Sequence, residues 1–302
     1  MIALALLGCT SRDPGDDSNP ADDSATVPAP TWSEIAAGGV TTCAADDDGQ
    51  VTCWGNDVYD QASPPLGAYV ELDVGYYDSC GRTDDGIVSC WGCGGSGNAG
   101  QCDVPGEPMT AVAVGTYHTC TLDAAGTLTC VGCEGADEGQ CTVPKGTYTS
   151  VSAGSRHTCA VLSGGGLVDC WGFGDQGQLA APGGAFASVS AGTWQSCGID
   201  ADGAVHCWGC TGEDHGQCDA PKGTYVSVRT DAFHTCALTP DGSVSCWGCE
   251  GTDDGTAVDV GQCTPPSGTF DRIAVGKWHS CARRTDGTMV CWGSDYYGQL
   301  GP

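Results

Sequence analysis

One unit recurs seven times along the chain and leaves few folds open to it. It reads as a short apolar stretch ending in Ala/Val-Gly, two variable residues, His-Thr-Cys, a turn, Val-x-Cys-Trp-Gly, a variable loop and Gly-Gln-Leu or Gly-Gln-Cys. The clearest copy spans residues 150–179, SVSAGSRHTCAVLSGGGLVDCWGFGDQGQL. The other copies start near Trp32, Val70, Thr110, Ala187, Val226 and Asp271, a period of about 39 residues. Repeats of that length are supersecondary units that bury their apolar faces against one another, as in solenoids and propellers.

Within each unit apolar residues alternate with period two, the signature of a half-buried strand. Turns are written between the strands as Asp48-Gly49, Asp85-Gly86, Asp202-Gly203, Asp241-Gly242 and Asp286-Gly287. Pro240-Asp241-Gly242 suits a type I turn closed by a glycine bulge. That loop sets Thr239 opposite Ser243, and so Cys236 opposite Cys246. With 49 Gly, 15 Pro and 23 Cys among 302 residues, against only 10 Lys and Arg, the composition also favours short strands and tight turns.

The units resemble the repeats of the regulator-of-chromosome-condensation family. His234-Thr235-Cys236-Ala237-Leu238, Asp241-Gly242, Trp247-Gly248 and Gly298-Gln299-Leu300 carry the likeness, which covers Trp32 to Pro302. It implies an all-β fold: a seven-bladed β-propeller of four-stranded blades closing into a ring. The chain is thereby divided into a leader and lipobox (1–9), a tether (10–31) and a propeller (32–302).

Each unit holds two cysteines on its hairpin: Cys43/Cys53, Cys80/Cys90, Cys120/Cys130, Cys159/Cys170, Cys197/Cys207, Cys236/Cys246 and Cys281/Cys291. Opposed antiparallel positions lie within the reach of a disulfide. Six pairs are ten residues apart; Cys159 and Cys170 are eleven apart, and the loop Ser163-Gly164-Gly165-Gly166 has room for the extra residue. Four units add a second pair, Cys93/Cys102, Cys133/Cys141, Cys210/Cys218 and Cys249/Cys263, whose members are present or absent together. The competing reading takes Cys90-Trp-Gly-Cys93, Cys130-Val-Gly-Cys133 and their counterparts as C-x-x-C elements for zinc. It leaves the paired cysteines of units one, four and seven unexplained, so a disulfide-rich protein of an oxidising compartment is expected, with no metal and no cofactor.

The one cysteine left over is Cys9. Leu6-Leu7-Gly8-Cys9 resembles a bacterial lipobox, although the leader MIALALLG has no positive n-region. Thr10 to Thr31 is rich in Asp, Ser, Pro and Ala and reads as a tether. The expectation is an exported lipoprotein at the bacterial cell envelope or surface, held to the membrane only by lipid on Cys9. The formal net charge of −28 opposes direct nucleic-acid binding, which needs Lys and Arg to displace counterions. It suits a basic protein partner, a cation, or solubility outside the cell.

No catalytic motif is present in the sequence, so the chain reads as a binding module and not an enzyme. The recurrent His118, His157, His234 and His279, and the tryptophan of each Trp-Gly, read as structural. The position before the histidine differs: it carries Val40, Tyr77, Tyr117, Arg156, Trp194, Phe233 and Trp278. The family fold implies that these residues ring one mouth of the central channel, and aromatic and arginine side chains are what binding hot spots are made of. Tyr77, Tyr117, Arg156, Trp194, Phe233 and Trp278 are therefore the candidate binding residues for an unidentified protein, as in the secreted β-lactamase-inhibitor propellers of the family. A lectin or adhesin-like module is the second reading, with Asp78, Gln195 and the histidines as sugar acceptors, and a structural surface protein is a third. The nucleotide-exchange role of the nuclear family member has no matching residues here. A monomer is expected.

Overall fold

A computed structural model describes residues 30–212, 214–253 and 256–301. The leader, Cys9 and nearly all of the tether lie outside the described residues. Seven three-stranded antiparallel sheets follow one another along the chain. Their strands are Glu34–Gly38, Thr41–Ala45 and Val51–Gly55 in blade one, and Tyr69–Val74, Ser79–Thr83 and Val88–Trp91 in blade two. Blade three comprises Ala111–Val114, His118–Leu122 and Leu128–Gly132; blade four, Tyr148–Ala153, His157–Leu162 and Val168–Gly172. Blade five is Phe186–Ala191, Ser196–Asp200 and Val205–Trp208; blade six, Ser227–Thr230, His234–Leu238 and Val244–Gly248; blade seven, Phe270–Val275, His279–Arg284 and Met289–Gly293.

The first strand of each blade packs against the first strands of its two neighbours, and Glu34–Gly38 of blade one meets Phe270–Val275 of blade seven. The seven inner strands thus surround a common axis, giving a seven-bladed propeller. Glycine at the end of the inner strand permits this approach: a Cβ on Gly38 would lie 1.8 Å from the carbonyl oxygen of Val74 in the next blade.

The resemblance implied four strands per blade, and three form. The stretch after each Gly-Gln carries proline four residues beyond the glutamine in six units: Pro65, Pro105, Pro144, Pro182, Pro221 and Pro266. Proline has no N–H to give to a ladder, so the position of a fourth strand is turn and coil.

The hairpins pair in the expected register. Cys43 faces Cys53, Cys120 faces Cys130, Cys159 faces Cys170, and the pattern repeats through Cys281 opposite Cys291. All seven hairpin disulfides are formed, at Cα separations of 4.0–4.1 Å: Cys43–Cys53, Cys80–Cys90, Cys120–Cys130, Cys159–Cys170, Cys197–Cys207, Cys236–Cys246 and Cys281–Cys291. Four loop disulfides, Cys93–Cys102, Cys133–Cys141, Cys210–Cys218 and Cys249–Cys263, span 6.1–6.4 Å. Cys130 is therefore bonded across its hairpin and Cys133 within its loop, which leaves neither sulfur to a zinc knuckle.

Two hairpin bridges depart from the common pattern, and the two ends of every hairpin bridge differ. Cys170 is eleven residues from its partner, and the wider Ser163–Gly166 turn takes up the extra residue so that the cysteines stay opposed. Cys130 precedes Val131 and so lacks the tryptophan that follows the outer-strand cysteine in the other blades. Both lie on the third strand of their blade and are only half-buried, as are Cys53, Cys90, Cys207, Cys246 and Cys291, whereas the middle-strand partners are fully buried. The sequence pattern treats the two cysteines of a bridge alike. The structure separates them, because the outer strand has a neighbour on one side only. The turn at Asp241-Gly242 has Thr239 N–H donating to Ser243 O at 2.9 Å and Gly242 at a φ of 84°.

The core is divided among the seven blade interfaces. Tyr69, Leu72 and Trp91 fill the one between blades one and two, and Phe270, Ile273 and Trp292 the one between six and seven. The cluster between blades two and three has no tryptophan, because Val131 stands where the other blades carry it. The indole of Trp91, Trp171, Trp208, Trp247 and Trp292 donates at 2.8–2.9 Å to the carbonyl of the Gly-Gln glutamine in the preceding unit. Each tryptophan therefore both packs and stitches.

Candidate functional site: the channel and its mouth

The recurrent histidines are fully buried and serve as clasps between blades. His118 Nε2 lies 2.8 Å from Thr158 Oγ1, His157 Nε2 2.8 Å from Ser196 Oγ, and His234 Nε2 2.7 Å from Ser280 Oγ, each partner being in the next blade. His279 closes the ring on Thr42 of blade one at 2.7 Å. Burial holds His118 and His279 down at about 4 and His157 and His234 at about 3, so all four are neutral near pH 7. Glycine three residues before the histidine makes room for the ring: a Cβ on Gly276 would meet His279 Cε1 at 2.4 Å.

Asp78 and Gln195 stand at the histidine position in blades two and five. Thr119 donates to Asp78 at 3.3 Å, and Gln195 donates to Thr230 Oγ1 at 2.7 Å. Both side chains are buried with the histidines, so none of them offers an acceptor to a sugar. That removes the groups on which a lectin reading depended.

The central channel has a volume of about 670 Å³ and is lined by the inner strands of all seven blades. Its lining carries both signs of charge: Glu34, Glu71 and Asp73 come from blades one and two, Arg229 from blade six, and Asp271 and Arg272 from blade seven. Glu34 pairs with Arg272 at 2.7 Å, and Glu71 with Arg82 at 2.5 Å. Asp73 accepts the N–H of Val114 at 2.7 Å, while burial pushes its carboxyl up to about 7.

At the mouth the structure separates the six candidate residues. Tyr77, Tyr117 and Arg156 line the channel opening with Tyr76, Asp231 and Lys277, whereas Trp194, Phe233 and Trp278 do not line it. Tyr77 and Tyr117 are half-buried, 5.3 Å apart between ring centroids, and their hydroxyls are 3.4 Å apart. That hydrogen bond, with burial, holds the Tyr77 phenol well above its usual range. Arg156 is exposed, lies over the Phe173 ring, and faces Glu138 at 3.9 Å. Trp194 is half-buried beside the mouth. Phe233, at 4 % exposure, is sealed between His215 and Trp278 and presents no surface, a correction to its expected role. Trp278 is half-buried on Phe233, and Lys277 Nζ sits 5.5 Å from its ring.

A second mouth position was not singled out from the sequence. In every unit the Gly-Gln glutamine accepts, on Oε1, the N–H of the residue two places before it, at 2.5–2.9 Å. The residues so held are Tyr59, Ala99, Glu138, Gln176, His215, Val260 and Tyr297. Three of them pack on the mouth residue of the next blade: Tyr59 on Tyr77 at 5.1 Å, Glu138 on Arg156, and His215 on Phe233 at 5.2 Å. Variation at a position fixed by an invariant backbone contact was the signal that could have found Tyr59 and Tyr297. Tyr76, 4.8 Å from Tyr77, was visible only as the neighbour of a candidate.

Asp231, directly after the inner strand of blade six, occupies the position that is glycine in the other six blades. Thr193 Oγ1 donates to it at 2.8 Å, and burial raises its carboxyl to about 6 against the pull of Lys277. The set of potential metal ligands formed by Asp78, Cys93 and Cys102 has both sulfurs joined in a disulfide. Among the described residues no helix is long and apolar enough to cross a membrane.

The family model for the regulator of chromosome condensation repeat matches residues 32–61, 148–178, 232–254 and 270–299. No curated protein matches the chain in sequence. Among solved structures, the chain is similar to the entire ectodomain of the Physcomitrella patens receptor kinase CR4. That match has 26 % identity and a TM-score of 0.69 over 86 % of this chain and 72 % of the other. The CRINKLY WD40 ectodomain of the Arabidopsis thaliana receptor kinase ACR4 matches at 25 % identity and a TM-score of 0.67, over 88 % and 99 %. Yeast RCC1 (Prp20), crystallised with Kap60, shares 17 % identity at a TM-score of 0.50 over 89 % and 72 %, a likeness of fold alone.

Proposed function

The chain carries regulator-of-chromosome-condensation repeats, and from that premise we propose that it is an extracytoplasmic binding module that takes a protein partner at the propeller mouth. The observation that carries this reading is the convergence of Tyr59, Tyr76, Tyr77 and Tyr117 on one rim of the channel. Aromatic side chains held on a rigid scaffold offer large contact area at low entropic cost. The burial of Asp78, Gln195 and the histidines favours a protein over a glycan ligand.

Eleven disulfides support export, since structural bridges in such number are the mark of oxidising compartments and are rare in a reducing cytosol. The two plant relatives near 25 % identity are receptor ectodomains. The chain is a monomer, and lipid on Cys9 holds it to the membrane. Cys9→Ser is expected to move it from the membrane to the soluble fraction, and unchanged fractionation would refute the anchor.

The binding face is tested by comparative capture from native envelope and secreted extracts. One bait is residues 28–302; the other carries Tyr77→Ala, Tyr117→Ala and Arg156→Ala, with folding verified by near-ultraviolet circular dichroism. A protein retained only by the unaltered bait supports the mouth. Equal retention by both, or none by either, would refute it.

A further inference from the structure

The mouth is not chemically uniform around its ring. Where blades seven, one and two meet, Tyr76 packs on Gly39, with a Cβ there only 3.1 Å from Tyr76 Cα and Cδ2. Tyr76 is 4.8 Å from Tyr77, which packs on Tyr59 at 5.1 Å, and Gln299 holds Tyr297 at the rim position that corresponds to Tyr59 in the seventh unit. Tyr296 and Tyr297 are themselves 4.9 Å apart. The patch is open: Tyr296 is 85 % exposed, Val58 75 % and Tyr297 48 %.

Acidic side chains border this patch. Asp57 and Asp60 flank Val58 and Tyr59, and Asp295 precedes Tyr296; all three are exposed. Asp57 accepts Ala62 N–H and Ser63 Oγ–H, and Asp295 accepts Leu300 N–H. Among the described residues none of the three has a cation within salt-bridge distance. The other aromatic pair of the mouth differs, because the chain's own Lys277 covers Phe233 and Trp278. Among the described residues no lysine or arginine lies over the tyrosines of the seam.

We propose that this seam, with Tyr76, Tyr296 and Tyr297 beside Asp57, Asp60 and Asp295, docks a lysine- or arginine-rich segment of the protein partner. The proposal rests on the reading of the mouth as a protein-binding face and names the chemistry of what it takes. Tyrosine faces attract cations through the ring quadrupole, and the unpaired carboxylates supply the counter-charge. The net charge of −28 adds long-range steering of a basic segment.

The probe is a labelled short peptide alternating lysine and serine, titrated against the disulfide-bonded protein by fluorescence anisotropy. The seam variant combines Asp57→Asn, Asp60→Asn and Asp295→Asn. A control removes the same charge elsewhere through Asp103→Asn, Asp137→Asn and Asp219→Asn. The seam variant is expected to bind about tenfold more weakly, and the control to change by about twofold or less. Equal losses in the two variants would reduce the effect to diffuse polyanion attraction and overturn the proposal, as would no binding by the unaltered protein.

Should the seam variant fail to fold, photo-cross-linking of the peptide to the unaltered protein decides the matter. Cross-links within residues 57–60, 76–77 and 295–297 support the seam, and links spread over all blades overturn it. A natural partner captured through the mouth, together with failure of the lysine peptide, would overturn the basic-segment inference alone and leave the protein-binding reading in place.

Discussion

His279 Nε2 lies 2.7 Å from Thr42 Oγ1, so a bond between residues 237 apart in sequence joins the last blade to the first. The same hydroxyl donates to the Gln299 carbonyl at 2.9 Å, fixing the end of the seventh unit to the second strand of the first blade. Removing the ring leaves a buried hydroxyl short of a partner and a cavity beside Gly276. His279→Ala is expected to cost about 2–4 kcal/mol in denaturant unfolding. His279→Gln is expected to cost less, because Gln195 at the same position of blade five also donates across to the next blade, to Thr230 Oγ1. Equal losses for the two variants would show that glutamine does not replace the imidazole in this clasp.

The histidine clasps also set an acid sensitivity. His157 is held at about 3 in the folded protein, below its ordinary 6.5. As pH falls through 6.5 the unfolded chain takes up a proton that the folded protein refuses, so stability drops down to about pH 3. The slope is about 1.4 kcal/mol per pH unit for this one group. Asp231 and Asp73, raised to about 6 and about 7, act in the opposite sense: the stability they withhold at high pH returns as pH falls toward their unfolded value. The difference between the unaltered protein and His157→Gln isolates the histidine. His157→Gln is expected to be the less stable at pH 7 and to gain on the unaltered protein at each step below pH 6.5, followed by urea midpoints. A gap independent of pH would show that His157 takes up its proton alike in the folded and unfolded states.

Much of this scaffold could be read from residues alone. Seven copies of one unit, marked by His-Thr-Cys in three, Asp-Gly in five and Trp-Gly in six, dictate seven hairpins because strand register and turn chemistry are local. Even the irregular hairpins, Cys120–Cys130 without its tryptophan and Cys159–Cys170 with its longer turn, keep the register that opposes their cysteines. The resemblance overstated the number of strands per blade, since the proline after Gly-Gln in six of the units carries more weight than the family pattern. The mouth was legible only in part. The residue before the histidine marks the right connection, yet whether it faces the channel depends on what the preceding blade lays over it. His215 covers Phe233, whereas Tyr59 leaves Tyr77 at the rim. Such contacts join residues of different units, and a pattern within one unit does not contain them.

Asp78 is the weak clasp. It is buried, one carboxylate oxygen has no hydrogen-bond partner, and burial raises its carboxyl well above the usual range. Asp78→Asn keeps an acceptor for Thr119 and removes the charge. It is expected to stabilise the protein by on the order of 1 kcal/mol at pH 8. The gain should shrink as pH falls and vanish below about pH 4, where the carboxyl is protonated in folded and unfolded states alike. Thermal unfolding at pH 8 and pH 4 checks both statements; destabilisation at pH 8 would mean that the charge has a favourable partner.

The disulfides differ in access. In each hairpin bridge the cysteine on the middle strand, such as Cys43 or Cys281, is completely buried, and it shields the half-buried partner on the outer strand, such as Cys130 or Cys170. Cys93–Cys102 and Cys210–Cys218 are partly exposed at both ends. Thiol–disulfide exchange needs in-line access of a thiolate to sulfur, so these two loop bridges should open first under limiting dithiothreitol. The intact oxidised protein should be 22 hydrogens lighter than its fully reduced form, from two per bridge. Partial reduction followed by alkylation and peptide mapping should then label Cys93, Cys102, Cys210 and Cys218 before any hairpin cysteine. Early labelling of Cys43 or Cys281 would mean that the blades open before their loops do, and the hairpin bridges would then be guarding the fold less than their burial implies.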